Sequence, residues 1–137
     1  TYCGTPLACA AAVASLRLFR ERGILAALPG KVAALTRALA PVGAHPRVGE
    51  VRQRGLMVGI ELVRDRATKA EYPYAARAGD RACREARGLG AVLRPLGNVV
   101  VLMPPLAMTE AQLGELAGIA REAIDRATAQ LDRELAA

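Results

Sequence analysis

The sequence of 137 residues predicts an α+β domain, in which a small, mainly antiparallel sheet packs against helices. Hydrophobic residues make up 53% of the chain and charged residues 23%, which is typical of a packed core and argues against disorder. Alternating apolar residues predict strands in residues 47–63 and 91–103. Helical spacing marks the stretches around them, which gives the order α-α-β-β-α-β-β-α.

The first helix begins at Thr5, a residue that caps helices, followed by Pro6 at the first helical position. From Leu7 to Phe19 it is apolar on nearly every side, so we expect it to be buried all round against a surface missing from this sequence. The chain therefore looks like a piece of a larger protein. We divide it into a connecting segment and helix, residues 1–22, and a small domain, residues 23–137.

The second helix has apolar residues at helical spacing, at Leu28, Val32, Leu35 and Leu39. Because Pro29-Gly30 interrupts the pattern, we expect regular helix to begin near there and residues 24–28 to form a separate turn. Pro41 and Gly43 are expected to end it.

Residues 47–63 predict two strands around Arg54-Gly55, and the second strand alternates through Leu56, Val58, Ile60 and Leu62. Gly55 and Gly59 lie inside this strand pair and not before a helix, so we interpret them as permitting close packing and not as a nucleotide site. Residues 64–74 are polar and predict a surface excursion.

The third helix is predicted over residues 75–87 and is followed by a β-hairpin. Its strands are residues 91–94 and 99–103, with a turn over residues 95–98. The last helix begins at the capping box Thr109-Glu110-Ala111-Gln112.

Composition argues against several classes of partner. The net charge is +6, but the arginines are spread along the chain and aromatic residues are only 3%, which argues against a nucleic-acid surface. The longest apolar run, residues 6–16, is 11 residues long, whereas a helix needs about 20 to cross a bilayer. No basic segment precedes that run, which argues against a signal peptide. We expect neither nucleic acid nor membrane as a partner.

Cys3, Cys9 and Cys83 have no CxxC spacing, and the sole histidine, His45, lies in a predicted loop. A zinc site needs about four converging ligands, which this set does not supply. We expect free, reduced cysteines of a cytoplasmic protein and no metal site.

Two segments resemble motifs of a known family. Residues 1–12 read TYCGTPLACAAA and resemble the T-[FY]-x-G-x-P-L-A-C-A-A-A stretch of class III (ω-type) aminotransferases. Residues 93–98, LRPLGN, with residues 102–106, LMPPL, resemble the C-terminal hairpin of that family, and residues 51–62 match the pattern before it. The resemblance covers essentially the whole chain in order.

The resemblance implies the C-terminal small domain of a fold-type I transferase that depends on pyridoxal 5'-phosphate, preceded by a connecting helix. In the family the Schiff-base lysine and the acid facing the cofactor's pyridine nitrogen lie upstream, on the large domain. Lys31 and Lys69 do not match the lysine motif. The resemblance thus implies that the large domain binds most of the cofactor and that this chain alone does not transaminate.

Three residues take roles from the resemblance. Thr1 matches the threonine that reaches the cofactor phosphate across a homodimer interface; the alternative is a frayed first residue with no role in the isolated chain. Arg94 matches the arginine that pairs with the substrate's terminal carboxylate; the alternative is one more solvated arginine. Leu96, two residues on, lines the substrate's apolar chain or packs in the core.

The form R-P-x-G-N…L-M-P-P is closest to members that aminate 8-amino-7-oxononanoate in biotin synthesis, with adenosylmethionine or lysine as amino donor. Two alternatives remain: another ω-amino acid or diamine aminotransferase, or a stand-alone basic α+β binding module. An arginine beside a row of apolar residues favours a substrate whose chain ends in a carboxylate over a diamine.

Overall fold

A computed structural model describes residues 4–136 and confirms the α+β fold class. The helices and strands follow in the order α1 Pro6–Glu21, α2 Ile24–Gly43, β1 Val48–Arg54, β2 Met57–Asp65, β3 Ala70–Glu71, a 3-10 turn Tyr74–Ala76, α3 Ala78–Gly88, β4 Arg94–Leu96, β5 Val99–Leu102 and α4 Glu110–Ala136.

The sheet has the strand order β1-β2-β5-β4, with every neighbouring pair antiparallel and β3 added to the end of β2. Because side chains alternate along a strand, the sheet has two different faces. The covered face meets residues of α2, α3 and α4 in the core and consists of Val58, Ile60, Leu62, Val100 and Leu102. The open face includes Met57, Gly59, Glu61, Arg94, Leu96, Val99 and Val101.

The β1–β2 hairpin is confirmed, with a two-residue turn at Gly55-Leu56. Gly55 has a φ of +61°, which an L side chain rarely adopts. Gly59 allows close packing as predicted, because a Cβ there would lie 3.4 Å from Cγ1 of Val99 on the neighbouring strand.

The predicted break in α2 is wrong, because the helix runs unbroken through Pro29 and Pro41. Pro29 has no N–H to donate to the carbonyl of Leu25, but Leu25 is exposed and water can take that place. Tertiary packing stabilises the helix through its buried residues, Leu35, Leu39 and Val42. Among residues 4–136, α2 is the one helix long and apolar enough to cross a membrane. Helices in the core of soluble proteins can have the same length and composition.

The polar stretch 64–74 is not wholly a surface excursion. Tyr72 is 1% exposed and belongs to the core cluster. The third helix begins at Ala78, later than predicted, because Tyr74–Ala76 form a 3-10 turn and Arg77 takes a left-handed backbone with a φ of +51°.

The second hairpin is present, but its bounds differ from the prediction. Pro95 and Leu96 belong to β4, and the turn is Gly97-Asn98 alone. Proline is tolerated there because β4 is an edge strand. Glycine at the first turn position, with a φ of +59°, suits a tight two-residue hairpin.

The first and last helices have different surroundings. The capping box of α4 is confirmed, since the backbone N–H of Gln112 donates to Oγ1 of Thr109 and the N–H of Thr109 donates to Oε1 of Gln112. Thr5 and Pro6 begin α1 as predicted, although the Thr5 hydroxyl makes no capping bond. No residue of α1 is buried. The division at residue 22 stays a prediction.

Candidate functional site

Arg94 and Leu96 occupy alternate positions of the edge strand β4, on the open face of the sheet. Arg94 lies opposite Val101 and Leu96 lies opposite Val99. Leu96 is 70% exposed, so the alternative in which it packs in the core is wrong for the described chain. The two side chains therefore share a face that a ligand can approach.

A cavity of about 510 Å³ lies beside Arg94 at the edge of the sheet, between residues 90–94, the loop after β5 and the first turns of α4. Its lining is mostly apolar and includes Val92, Leu93, Val101, Met103, Met108, Leu116 and Ile119. Leu96 does not line it. Arg94 is open to solvent within residues 4–136, because β4 is an edge strand and Val92 and Met103 are exposed as well.

The arginines that form ion pairs within the described chain include Arg47, Arg52, Arg77, Arg81, Arg84, Arg121 and Arg126. Arg94 forms none with the residues in the range 4–136. An exposed guanidinium without a carboxylate partner retains its capacity for a bidentate contact with an anionic ligand.

Asn98 holds the tip of the β4–β5 hairpin. Its side-chain Nδ2 donates to the backbone carbonyl of Tyr72 at 2.8 Å, and its own carbonyl accepts from the N–H of Leu62 at 2.9 Å. Tyr72 is fixed in turn, because its hydroxyl donates to Oδ1 of Asp132 at 3.1 Å and Asp132 pairs with Arg47 at 2.7 Å. Burial, with the Asp132 charge, raises the pKa of Tyr72 to about 12.

Sequence reasoning missed this network. The polar stretch contains both Tyr72 and Tyr74, and nothing in the sequence marked Tyr72 as the buried one. Asp132 lies 60 residues from Tyr72 in sequence. The one part of the network that the sequence indicated was Asn98, which follows Gly97 in the predicted hairpin turn.

His45 has a structural place between the end of α2 and α4. Its Nε2 donates to Oδ1 of Asp125 at 2.8 Å, while Nδ1 accepts the backbone N–H of Arg47 at 3.0 Å. Both ring nitrogens are occupied within the described chain. Among residues 4–136, no three His, Cys, Asp or Glu side chains come together in a way that could hold a metal.

The cysteines of the described range are free. Cys9 is exposed on α1, whereas Cys83 is buried and burial raises the pKa of its thiol to about 11. Cys3 and Thr1, with its expected contact to a cofactor phosphate, lie outside the described residues.

Residues 1–124 match the family model of class III aminotransferases. The chain belongs to this family. The adenosylmethionine-8-amino-7-oxononanoate aminotransferase of Nitratidesulfovibrio vulgaris is 48% identical over 124 residues, which covers 90% of this chain and 23% of that protein. The chain thus spans about a quarter of the length of the curated relatives it matches.

Solved structures of aminotransferases share the fold. The crystal structure of adenosylmethionine-8-amino-7-oxononanoate aminotransferase from Methanocaldococcus jannaschii matches with a TM-score of 0.85 and 40% identity, over 92% of this chain and 29% of that chain. A PMP-bound aminotransferase from Vibrio fluvialis matches with a TM-score of 0.84 and 29% identity, over 92% and 28%. The predicted fold, an α+β domain of a pyridoxal-phosphate-dependent transferase, is confirmed.

Membership of the class III family implies pyridoxal phosphate as cofactor. The described residues do not fit it by themselves. Nζ of Lys31 donates to the carbonyl of Leu106 at 2.6 Å, and Lys69 lies in a surface turn with a φ of +55°. Neither lysine lines the cavity beside Arg94.

Proposed function

We propose that this chain is the C-terminal part of a pyridoxal-phosphate-dependent aminotransferase that converts 8-amino-7-oxononanoate to 7,8-diaminononanoate, with adenosylmethionine or lysine as amino donor. The observation that carries the proposal is the 48% identity to a relative named for this reaction, along 90% of the chain. The small fraction of the relatives' length that the chain spans supports a larger enzyme.

Arg94 is the proposed anchor for the substrate's terminal carboxylate. A planar guanidinium binds a carboxylate through two parallel hydrogen bonds, which an ammonium cannot reproduce. Leu96 lies on the same face, next to Val99, and offers an apolar surface to the carbon chain of the substrate. This pairing of an anion-binding group with an apolar lane fits a keto acid better than a diamine.

We propose that pyridoxal phosphate is held mainly outside residues 4–136, with Thr1 contacting its phosphate. When bound, the cofactor serves as electron sink and amine carrier. The chain of 137 residues mixed with pyridoxal phosphate should therefore leave the cofactor's absorbance spectrum unchanged and show no transamination. A stoichiometric spectral change that is lost in Lys31→Arg or Lys69→Arg would contradict this.

The partners we propose are small-molecule substrates and a second copy of the full-length enzyme, in the cytoplasm. Arg47, Arg81 and Arg126 are each paired with a carboxylate, so their positive charges are balanced locally and form no basic patch. This supports the absence of a nucleic-acid partner. The unburied helix α1 supports an interface with further protein.

The test uses the full-length enzyme that contains this chain, with 8-amino-7-oxononanoate as amino acceptor and adenosylmethionine or lysine as donor. Formation of 7,8-diaminononanoate with either donor is the expected result. A parallel reaction with putrescine and pyruvate tests the diamine alternative. Faster turnover of putrescine, with no product from 8-amino-7-oxononanoate, would contradict the proposal.

A further inference from the structure

The β4–β5 hairpin touches α3 at one unusually close point. Gly79, the second residue of α3, is buried there. A Cβ at this position would lie 2.4 Å from the carbonyl oxygen of Gly97 and 3.3 Å from that of Val99. Carbon and oxygen atoms in contact are normally separated by about 3.3–3.6 Å. Any side chain at Gly79 would therefore displace the hairpin tip or the helix by roughly 1 Å.

The hairpin tip is held from a second direction by Asn98. Its amide donates to the carbonyl of Tyr72, and the Tyr72 ring is fixed through Asp132 of α4. The hairpin turn thus sits between the backbone of α3 and the buried Tyr72.

Strand β4 depends on that tip for its position. It is three residues long and, as an edge strand, pairs only with β5. Leu96 directly precedes Gly97, and Arg94 lies two residues further back. A shift of the tip is transmitted to both side chains because the short strand has no second neighbouring strand to restrain it.

We infer that Gly79 and Asn98 are positioning residues, which set where Arg94 and Leu96 meet the substrate. The inference rests on the proposed function. A bidentate contact tolerates little displacement, since a misplacement of about 1 Å can cost on the order of 100-fold in rate.

The first test compares Gly79→Ala with Gly118→Ala in the full-length enzyme. Gly118 is an exposed glycine inside α4 with no atom near its Cβ position, so it matches the chemical change without the contact. Gly79→Ala should raise KM for 8-amino-7-oxononanoate at least ~10-fold, and change the half-reaction with the amino donor less than ~3-fold. Gly118→Ala should leave both close to wild type.

A double variant tests whether Gly79 acts through Arg94. In an Arg94→Ala background, Gly79→Ala should raise KM by less than about 2-fold, because residues that act as one unit are not additive. A full additional increase would overturn the inference, as would equal losses in both half-reactions.

Asn98→Asp provides a second variant in case Gly79→Ala does not fold. Aspartate has the same size but cannot donate to the Tyr72 carbonyl, so KM for 8-amino-7-oxononanoate should rise at least ~3-fold with the donor half-reaction preserved. If the wild type is active, an unchanged KM in Asn98→Asp and in any Gly79→Ala protein that folds would overturn this inference but not the proposed function. A wild type that does not aminate 8-amino-7-oxononanoate would overturn the proposed function, and the inference with it.

Discussion

The two faces of the sheet differ in their surroundings: one packs in the core, and the other carries the two candidate substrate-binding residues. On the covered face, Val58, Ile60 and Leu62 are at most 1% exposed and belong to the core. On the open face, residues of the same strands and of β4 stay exposed or half-buried, and Arg94 and Leu96 project from it. Because neighbouring residues serve opposite faces, stability and recognition can change independently.

The largest expected effect on stability lies on the covered face. Ile60→Ala should lower the free energy of unfolding by about 2–5 kcal/mol, because it leaves a cavity in the core. Val101→Ala, a truncation on the open face that removes one carbon fewer, should cost less than about 1.5 kcal/mol, since Val101 is only half-buried. Urea denaturation measures both, and equal losses would break the distinction between the faces.

The network behind the hairpin makes stability sensitive to alkaline pH. The pKa of Tyr72 is raised from 10.0 to about 12 because the fold favours the neutral phenol. Its contribution to stability is therefore complete below pH 10 and is lost as the pH rises through about 12. Tyr72→Phe should cost about 1.5 kcal/mol at neutral pH, from the lost bond to Asp132.

Denaturation at pH 9 and at pH 11.5 tests this assignment. Tyr72→Phe should lose less stability between these two pH values than wild type. Wild type and the Tyr72 variant share a separate loss of stability from Cys83, because the pKa of its buried thiol is raised from 9.0 to about 11. Tyr74→Phe is the control, since Tyr74 is 89% exposed and this variant should lose as much stability between the two pH values as wild type. A Tyr74 variant that behaved like the Tyr72 variant would contradict the assignment.

The smallest expected effect on stability lies on α1, another uncovered surface. Leu16 is 64% exposed, so Leu16→Gln should change the free energy of unfolding by less than about 0.5 kcal/mol. The chain of 137 residues should form dimers or larger species at micromolar concentration through this helix, and Leu16→Gln should weaken them. Sedimentation that shows a monomer, with α1 protected from hydrogen exchange, would contradict a missing partner surface.

Local signals predicted local structure well. Alternation predicted β2, and the capping box at Thr109 placed the start of α4, because both depend on residues near in sequence. The path of α2 through Pro29 and the burial of Tyr72 were not predictable in this way. Each depends on packing against segments distant in sequence.

The candidate site was predictable only in part. Residue types and spacing placed Arg94 on a strand, but its role came from resemblance to a family and not from its own surroundings. The close approach of Gly79 to the Gly97 carbonyl had no sequence signal, since a glycine early in a helix has many uses.

Comparison of the two half-reactions in the Arg94→Ala full-length enzyme tests the central claim most directly. The variant should bind 8-amino-7-oxononanoate more weakly by about 2–4 kcal/mol, as expected when one partner of a charged pair that is buried in the full-length complex is removed. Arg94→Lys should recover part of that loss, and the half-reaction with the amino donor should stay close to wild type. Equal damage to both half-reactions, or none to either, would show that Arg94 does not anchor the carboxylate.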